Sequence, residues 1–397
     1  MALDASRAGP AGVPVTWRWI GVLTVLLALS NPAEAHGPEM MTIDRLVAHT
    51  STVPAIKGRR SELLVREKVP TAYVEGNPGS LEGKVVLFVH GGFSPATLAF
   101  DVQYRDYSWM EHLAYGGFAV FAMDMTGYGR STRPLMDDPC NVDPRQQAML
   151  VPRTLKAPCP PSYPFELVTS DSETDDIDAV VEFIRRLRKV ERVTLIGWSG
   201  GGIRTGTYAA RHPGKVDRHV IWASSNYARD NPDGPPAALP RPGAPITLQT
   251  REVGIERRWL ADVKCDGQVE PGMPELIGAL SLQADPVGAQ WGPGVLRAPT
   301  RTYWGWNAAT ARRLSAPTLI MVGEQDPLTT SNIELFEDHG AERKLLLRIA
   351  CGTHFMNWER GRKVMQRATL DWLTKGNIDG LDRGRLRADA AGKITRD

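Results

Sequence analysis

The sequence has no excess of either charge: 47 Lys and Arg stand against 45 Asp and Glu, a formal net charge of +2 over 397 residues. Without a basic field to collect phosphates, nucleic acid drops out as a partner. Long hydrophobic runs are missing too. The candidate at residues 19–29 holds about 11 apolar residues, short of the roughly 17 to 25 that span a bilayer. No H-E-x-x-H, no C-x-x-C and no G-x-x-x-x-G-K followed by Ser or Thr occurs. The corresponding metal and nucleotide chemistries are therefore not encoded, and neither a metal nor a cofactor is expected. Cysteine is scarce, with four in the chain. What remains is an ordinary globular balance, 42% hydrophobic and 23% charged. At roughly 100 to 200 residues per domain, the length allows one large core carrying an inserted module.

The first residues read as a targeting segment. Arg7 and Arg18 precede the apolar run, and Ala33-Glu34-Ala35 supplies the small-x-small pattern of a signal peptidase site, which predicts cleavage after Ala35. The mature chain is then secreted or periplasmic, with no membrane span, and its cysteines meet an oxidising compartment. Cys140 and Cys159 share one Pro-rich stretch that lacks a helical or strand period, and a bridge between them would tie it down. Cys265 and Cys351 lie far apart in sequence, and pairing and two buried thiols both remain open for them.

From Leu63 onward, short β-branched runs alternate with helical patterns, the signature of a mostly parallel, doubly wound α/β sheet. Strands are predicted at 85–89, 118–123, 193–196, 216–223, 318–322 and 344–349. Ile177, Val180, Val181, Ile184 and Leu187 recur at helical spacing behind Ser172, which places a helix start near Asp171. The rhythm breaks over 226–313, where a Pro- and Gly-rich stretch is followed by Trp259, Trp291, Trp304 and Trp306. The expected organisation is a signal peptide (1–35), a core (36–225), a cap (226–313), the rest of the core (314–375) and a polar, mobile tail (376–397).

Three groups follow three predicted strands. Ser199 sits in G-x-S-x-G between a strand and a helix, where Gly197 and Gly201 permit a sharp turn that exposes the hydroxyl. A serine hydroxyl needs a base, and the base needs an orienting acid. His354 follows the last predicted strand and Asp326 the one before it, giving the chain order Ser, Asp, His. Glu324 is the rival for the acid. The N–H of Gly200, with that of Gly92 or Phe93 in His90-Gly91-Gly92-Phe93, can face a developing oxyanion. A dinucleotide reading of Gly200 and Gly202 fails at Thr205, where the third glycine is required. Other histidines, such as His112, His212 and His219, fall inside predicted elements, and Asp124 reads as a turn residue.

These motifs together resemble the α/β-hydrolase superfamily over roughly residues 63–375. They are the HGG turn, the turn from Asp124 to Ser131, the Ser199 elbow, Gly323-Glu324-Gln325-Asp326-Pro327 and Gly352-Thr353-His354-Phe355. The resemblance implies a triad of Ser199, Asp326 and His354, with the cap between the sixth and seventh strands. It argues against dehalogenase and epoxide hydrolase chemistry, which place Asp at the elbow. The expected function is hydrolysis of a small-molecule carboxylic ester through an acyl-enzyme. A prolyl-iminopeptidase-like aminopeptidase is the alternative, from whose pattern this chain departs after HGG and at the elbow. A non-catalytic binding protein on the same fold is the third reading. Trp291, Trp304 and Trp306 either fill the cap core or line an apolar pocket above Ser199. Composition and spacing leave the oligomeric state open.

Overall fold

Strands that are apolar on both faces can only be covered on both faces, and the sheet is built from such runs. The computed structural model describes residues 38–76 and 79–397, so the expected signal segment lies outside the described residues. Ten strands form one sheet: β1 Met40–Thr50, β2 Arg60–Pro70, β3 Val85–Val89, β4 Ala119–Met123 and β5 Val193–Trp198, then β6 Val216–Trp222, β7 Thr318–Gly323, β8 Lys344–Ile349, β9 Gly384–Ala388 and β10 Ile394–Arg396. Their spatial order is β1-β2-β4-β3-β5-β6-β7-β8-β9-β10. From β4 through β9 all neighbours are parallel. β1 and β2 form an antiparallel hairpin, and β2 pairs antiparallel with β4.

Every residue of β3, β4, β5 and β7 is buried, and a hydrophobic cluster covers each face of the sheet. The chain steps from β3 to β4 on one side, then crosses back to set β5 on the other side of β3. That reversal opens a crevice beyond the carboxyl ends of β3 and β5, where open α/β sheets hold ligands. The crossover carries the helix Ser170–Arg188. Thr169 caps it, Asp171 and Glu173 stand in its first turn and three arginines in its last, which matches the helix dipole at both ends. Ile177, Val180, Val181 and Ile184 lie on the sheet, while Leu187 is exposed.

Two segments depart from expectation. The tail, expected to be polar and mobile, carries two strands of the sheet: β9 pairs in parallel with β8, and β10 turns back along β9. Leu386 and Ala388 alternate toward the core between Arg385 and Arg387, a short half-buried strand pattern hidden in a basic sequence. β1 lies ahead of Leu63, and its alternation is masked because Arg45 takes an inward position while Leu46 is exposed.

Within 226–313, Ile246–Thr250 pairs antiparallel with Val295–Pro299, and the helix Met273–Ala284 lies between them in sequence. This segment shares a core with the Pro-rich stretch after β4. Val142, Leu150, Leu155 and Leu167 pack with Ile246, Leu248 and Val295. Cys140 and Cys159 are bridged there, as the sequence suggested, and Cys265 and Cys351 are bridged as well. No helix among the described residues is long and apolar enough to cross a membrane.

Candidate active site

β5 ends at Trp198 and the helix Gly200–Arg211 begins two residues later, so the whole reversal falls on Ser199, with φ 55° and ψ −118°. A non-glycine residue in that region is strained by about 1 to 3 kcal/mol and stays there only when its surroundings hold it. The backbone does hold it: Ser199 N–H donates to the Trp222 carbonyl at 3.0 Å, and its own carbonyl accepts from Gly202 at 2.9 Å and Ser225 at 3.1 Å. The close approach of helix and strand also requires glycines. A β-carbon on Gly201 would stand 1.9 Å from the Val89 carbonyl oxygen, and one on Gly197 2.4 Å from Thr205 Oγ1. Ser199 Oγ makes no hydrogen bond among the described residues, and Ser199 lines the cavity beyond the sheet.

The HGG turn leaves β3 beside it. His90 is fully buried, its Nε2 accepts from Met125 N–H at 3.1 Å, and its Nδ1 therefore donates to the Gly91 carbonyl at 2.6 Å. Burial holds its pKa well below the usual imidazole range, with the Arg204 charge adding to the effect. The neutral ring acts as a turn brace. Arg204, buried and paired with Glu173 at 2.7 Å, donates to the His90 carbonyl at 2.6 Å. Phe93 takes φ 58°. None of the Gly92, Phe93 and Gly200 N–H groups donates a hydrogen bond among the described residues.

His354 and Asp326 meet on the other side. Nδ1 of His354 donates to Asp326 Oδ2 at 3.0 Å, and Asp326 Oδ1 accepts from Leu328 N–H at 2.8 Å. Glu324 turns outward into a bidentate pair with Arg387, at 2.8 and 2.9 Å. The arginine holds its carboxyl below the usual range. Sequence spacing alone could not separate these two acids. The loop carrying His354 is braced by Glu359, a residue the sequence did not flag. Its carboxylate accepts from Thr353 N–H at 3.1 Å, Gln268 Nε2 at 2.8 Å, Trp259 Nε1 at 2.9 Å and the Thr353 hydroxyl. Burial raises its pKa. Asp124 holds its turn by accepting from Ala96 and Arg130 N–H groups, as expected.

A cavity of about 180 Å³ opens onto Ser199, His354, Gly92 and Phe93. A second, of about 780 Å³, reaches Ser199 and His354 from the side of Asp326, Asp262 and Glu334. Trp291, Trp304 and Trp306, for which packing and pocket lining were both open, line neither. Trp306 is fully buried, donates to Ser224 Oγ at 3.0 Å and covers Gly206. Trp304 is tied through its backbone to Ser170 Oγ, and Trp291 packs with the Pro-rich stretch beneath Arg297. All three are buried, which is packing. The apolar lining comes instead from Phe93, Trp198, Ile255, Leu282, Leu296, Phe355 and Trp358. Arg258 and Arg301 also line the first cavity. No motif marks them, because Arg301 sits in a short β-like run and Arg258 in a charged stretch.

A family model for the alpha/beta hydrolase family matches residues 86–367. Among curated proteins, the chain is similar to the human serine hydrolase BPHL, 30% identical over 113 residues, which are 28% of this chain and 28% of that protein. It is also similar to the AB hydrolase superfamily protein YisY of Bacillus subtilis, 22% identical over 71% of this chain and 89% of that one. The chain thus spans little more than a quarter of the length of the human relative and most of the bacterial one. A thermophilic esterase from Thermogutta terrifontis superposes with a TM-score of 0.48 at 18% identity, over 83% of this chain and 98% of that one.

Proposed function

The chain belongs to the alpha/beta hydrolase family, and from that premise we propose that it is an exported serine hydrolase acting on carboxylic esters. The observation that carries the reading is the His354–Asp326 hydrogen bond beside a strained Ser199, all three lining the second cavity. Ser199 Oγ attacks the ester carbonyl while His354 Nε2, left unprotonated by the Nδ1–H bond to Asp326, takes its proton. The oxyanion is received by the N–H groups of Gly200 and of the Gly92-Phe93 turn. His354 then returns the proton to the leaving alkoxide, and the alcohol departs. Water, deprotonated by the same imidazole, attacks the acyl-enzyme, and the acid leaves as Ser199 recovers its proton. The Ser–His hydrogen bond is formed in the substrate complex, as such contacts tighten on binding.

For a substrate seated in the first cavity, ester is favoured over aminoacyl compounds, because that wall has no Asp or Glu to hold a free ammonium; Asp262 and Glu334 stand on the wall of the second. Two disulfides suit an oxidising compartment and so support export. The test is labelling of the mature protein by a fluorophosphonate, followed by turnover of aryl esters against aminoacyl and prolyl amides. Faster turnover of the amides would transfer the chain to the aminopeptidase reading.

A further inference from the structure

The charge in the first cavity is not balanced. Its lining contains Arg251, Arg258 and Arg301 and no carboxylate. Arg251 is neutralised from outside by Glu256 at 3.1 Å and Glu275 at 4.0 Å. Arg258 has one partner, the neutral Gln249 Oε1 at 3.0 Å. Arg301 donates no hydrogen bond among the described residues: its ion pair with Glu173 is long, at 4.0 Å, to an oxygen that Arg204 already holds at 2.7 and 2.9 Å, and its other neighbour is the Tyr303 ring. Yet the Arg301 side chain is only 19% exposed.

The position of this guanidinium is as informative as its isolation. Arg301 Nη1 lies 2.9 Å from where a β-carbon of Gly200 would stand, immediately beside Ser199. A guanidinium with its donors unused in a part-dry cavity is costly. A carboxylate accepts from its fork in a bidentate pair. Resting on the ester-hydrolase reading, we infer that the substrate carries a free carboxylate, which Arg301 holds with Arg258 as the second cation of the wall. A singly charged carboxylate fits better than a phosphate dianion, because Arg251 is already paired and the other side chains of the lining, from Asn226 and Gln249 to Phe93, Ile255, Leu282 and Leu296, bring no further free cation. The second cavity is mixed in charge, with Arg257 and Arg258 beside Asp262, Asp326 and Glu334 on its wall. The first has arginines and no acid, so the charged half of the substrate lies on that side.

Arg301 is accordingly a specificity residue, and the rival role is direct stabilisation of the oxyanion. The two separate on matched substrates. Phenyl hydrogen glutarate is compared with phenyl valerate, and 3-acetoxybenzoate with phenyl acetate, so that the carboxylate is offered first in the acyl half and then in the alcohol half. The native protein should favour the charged member of at least one pair in kcat/KM, and Arg301→Gln should lower that charged-to-neutral ratio by at least about tenfold. A native preference for the neutral member of both pairs overturns the inference. So does an Arg301→Gln variant that loses both members equally, which is the behaviour of an oxyanion or packing role. Glutarate binding, followed by the shift in melting temperature, supplies a readout independent of hydrolysis. It should persist in Ser199→Ala and vanish in Arg301→Gln. Glutarate binding of this kind in a protein that hydrolyses no ester would sink the esterase reading and leave the carboxylate site standing, whereas hydrolysis of esters without it would do the reverse.

Discussion

Cys265 is bonded to Cys351, so the inserted segment is joined covalently to the turn that carries His354. The same turn is held from the same segment by Trp259 and Gln268, both donating to Glu359. The bridge spans 86 residues of sequence. In the chain-entropy account a loop of that size is worth about 4 to 5 kcal/mol. Replacing both cysteines by Ser should lower the unfolding free energy by that order, more than the same change at Cys140 and Cys159, whose loop spans 19 residues. Denaturant titration of the two double variants gives the ranking, and equal losses would speak against the loop-length account.

Ser199→Ala should abolish fluorophosphonate labelling and reduce ester turnover by a factor on the order of 10⁶, leaving the melting temperature nearly unchanged. Labelling that survives the substitution would remove Ser199 as the nucleophile.

Asp326→Asn should cost roughly 10⁴ in kcat, since the imidazole is then held in the wrong tautomer. Glu324→Gln should cost far less, because that carboxylate faces Arg387. The reverse ranking would reassign the acid.

Trp306→Ala should destabilise by about 3 to 5 kcal/mol, the loss usual for a deleted buried Trp. The ratio of KM values for bulky and small esters should stay constant, since the indole covers Gly206 and lines neither cavity at Ser199. A changed ratio at unchanged stability would return Trp306 to the pocket.

Asp176 gives a pH dependence. It is buried, with His49 Nε2 at 3.3 Å, and burial pushes its carboxyl up to about 7 from 3.8. Its folded pKa is raised, so the folded state binds the extra proton. This group's contribution to stability is therefore best below about pH 4 and worsens as pH rises toward 7, by a few kcal/mol in all. Asp176→Asn should flatten that slope, and denaturation midpoints at pH 5 and pH 8 measure it. An unchanged slope would mean that Asp176 does not titrate in this window.

The sheet was legible because its central strands, such as Val85–Val89 and Thr318–Gly323, are uninterrupted apolar runs between turn residues. Ser199, Asp326 and His354 were legible as residues that end strands, since chain order and turn chemistry are local signals. The cavity wall was not. Whether Trp306 faces a pocket or a glycine depends on Gly206, a hundred residues earlier in sequence, and whether Arg301 is neutralised depends on Arg204 having taken Glu173 first. Such outcomes are decided by competition among distant side chains. The tail misled for a different reason: Leu386 and Ala388 are too few to register as a strand until β8 offers an edge to pair with.

That last pairing bears on the order in which the molecule can be finished. β8 leads directly into the turn bearing His354, and its outer edge is covered by β9, whose Arg387 also draws Glu324 away from the imidazole. Both come from chain that is synthesised after every other part of the sheet. Until residues 384–396 have emerged, a growing polypeptide presents an open parallel edge on the strand that leads to its imidazole, with Glu324 left to Arg348 alone at 3.6 Å. The sheet beside His354 is thus completed late in biosynthesis, and C-terminal trimming to residue 375 would reopen that edge.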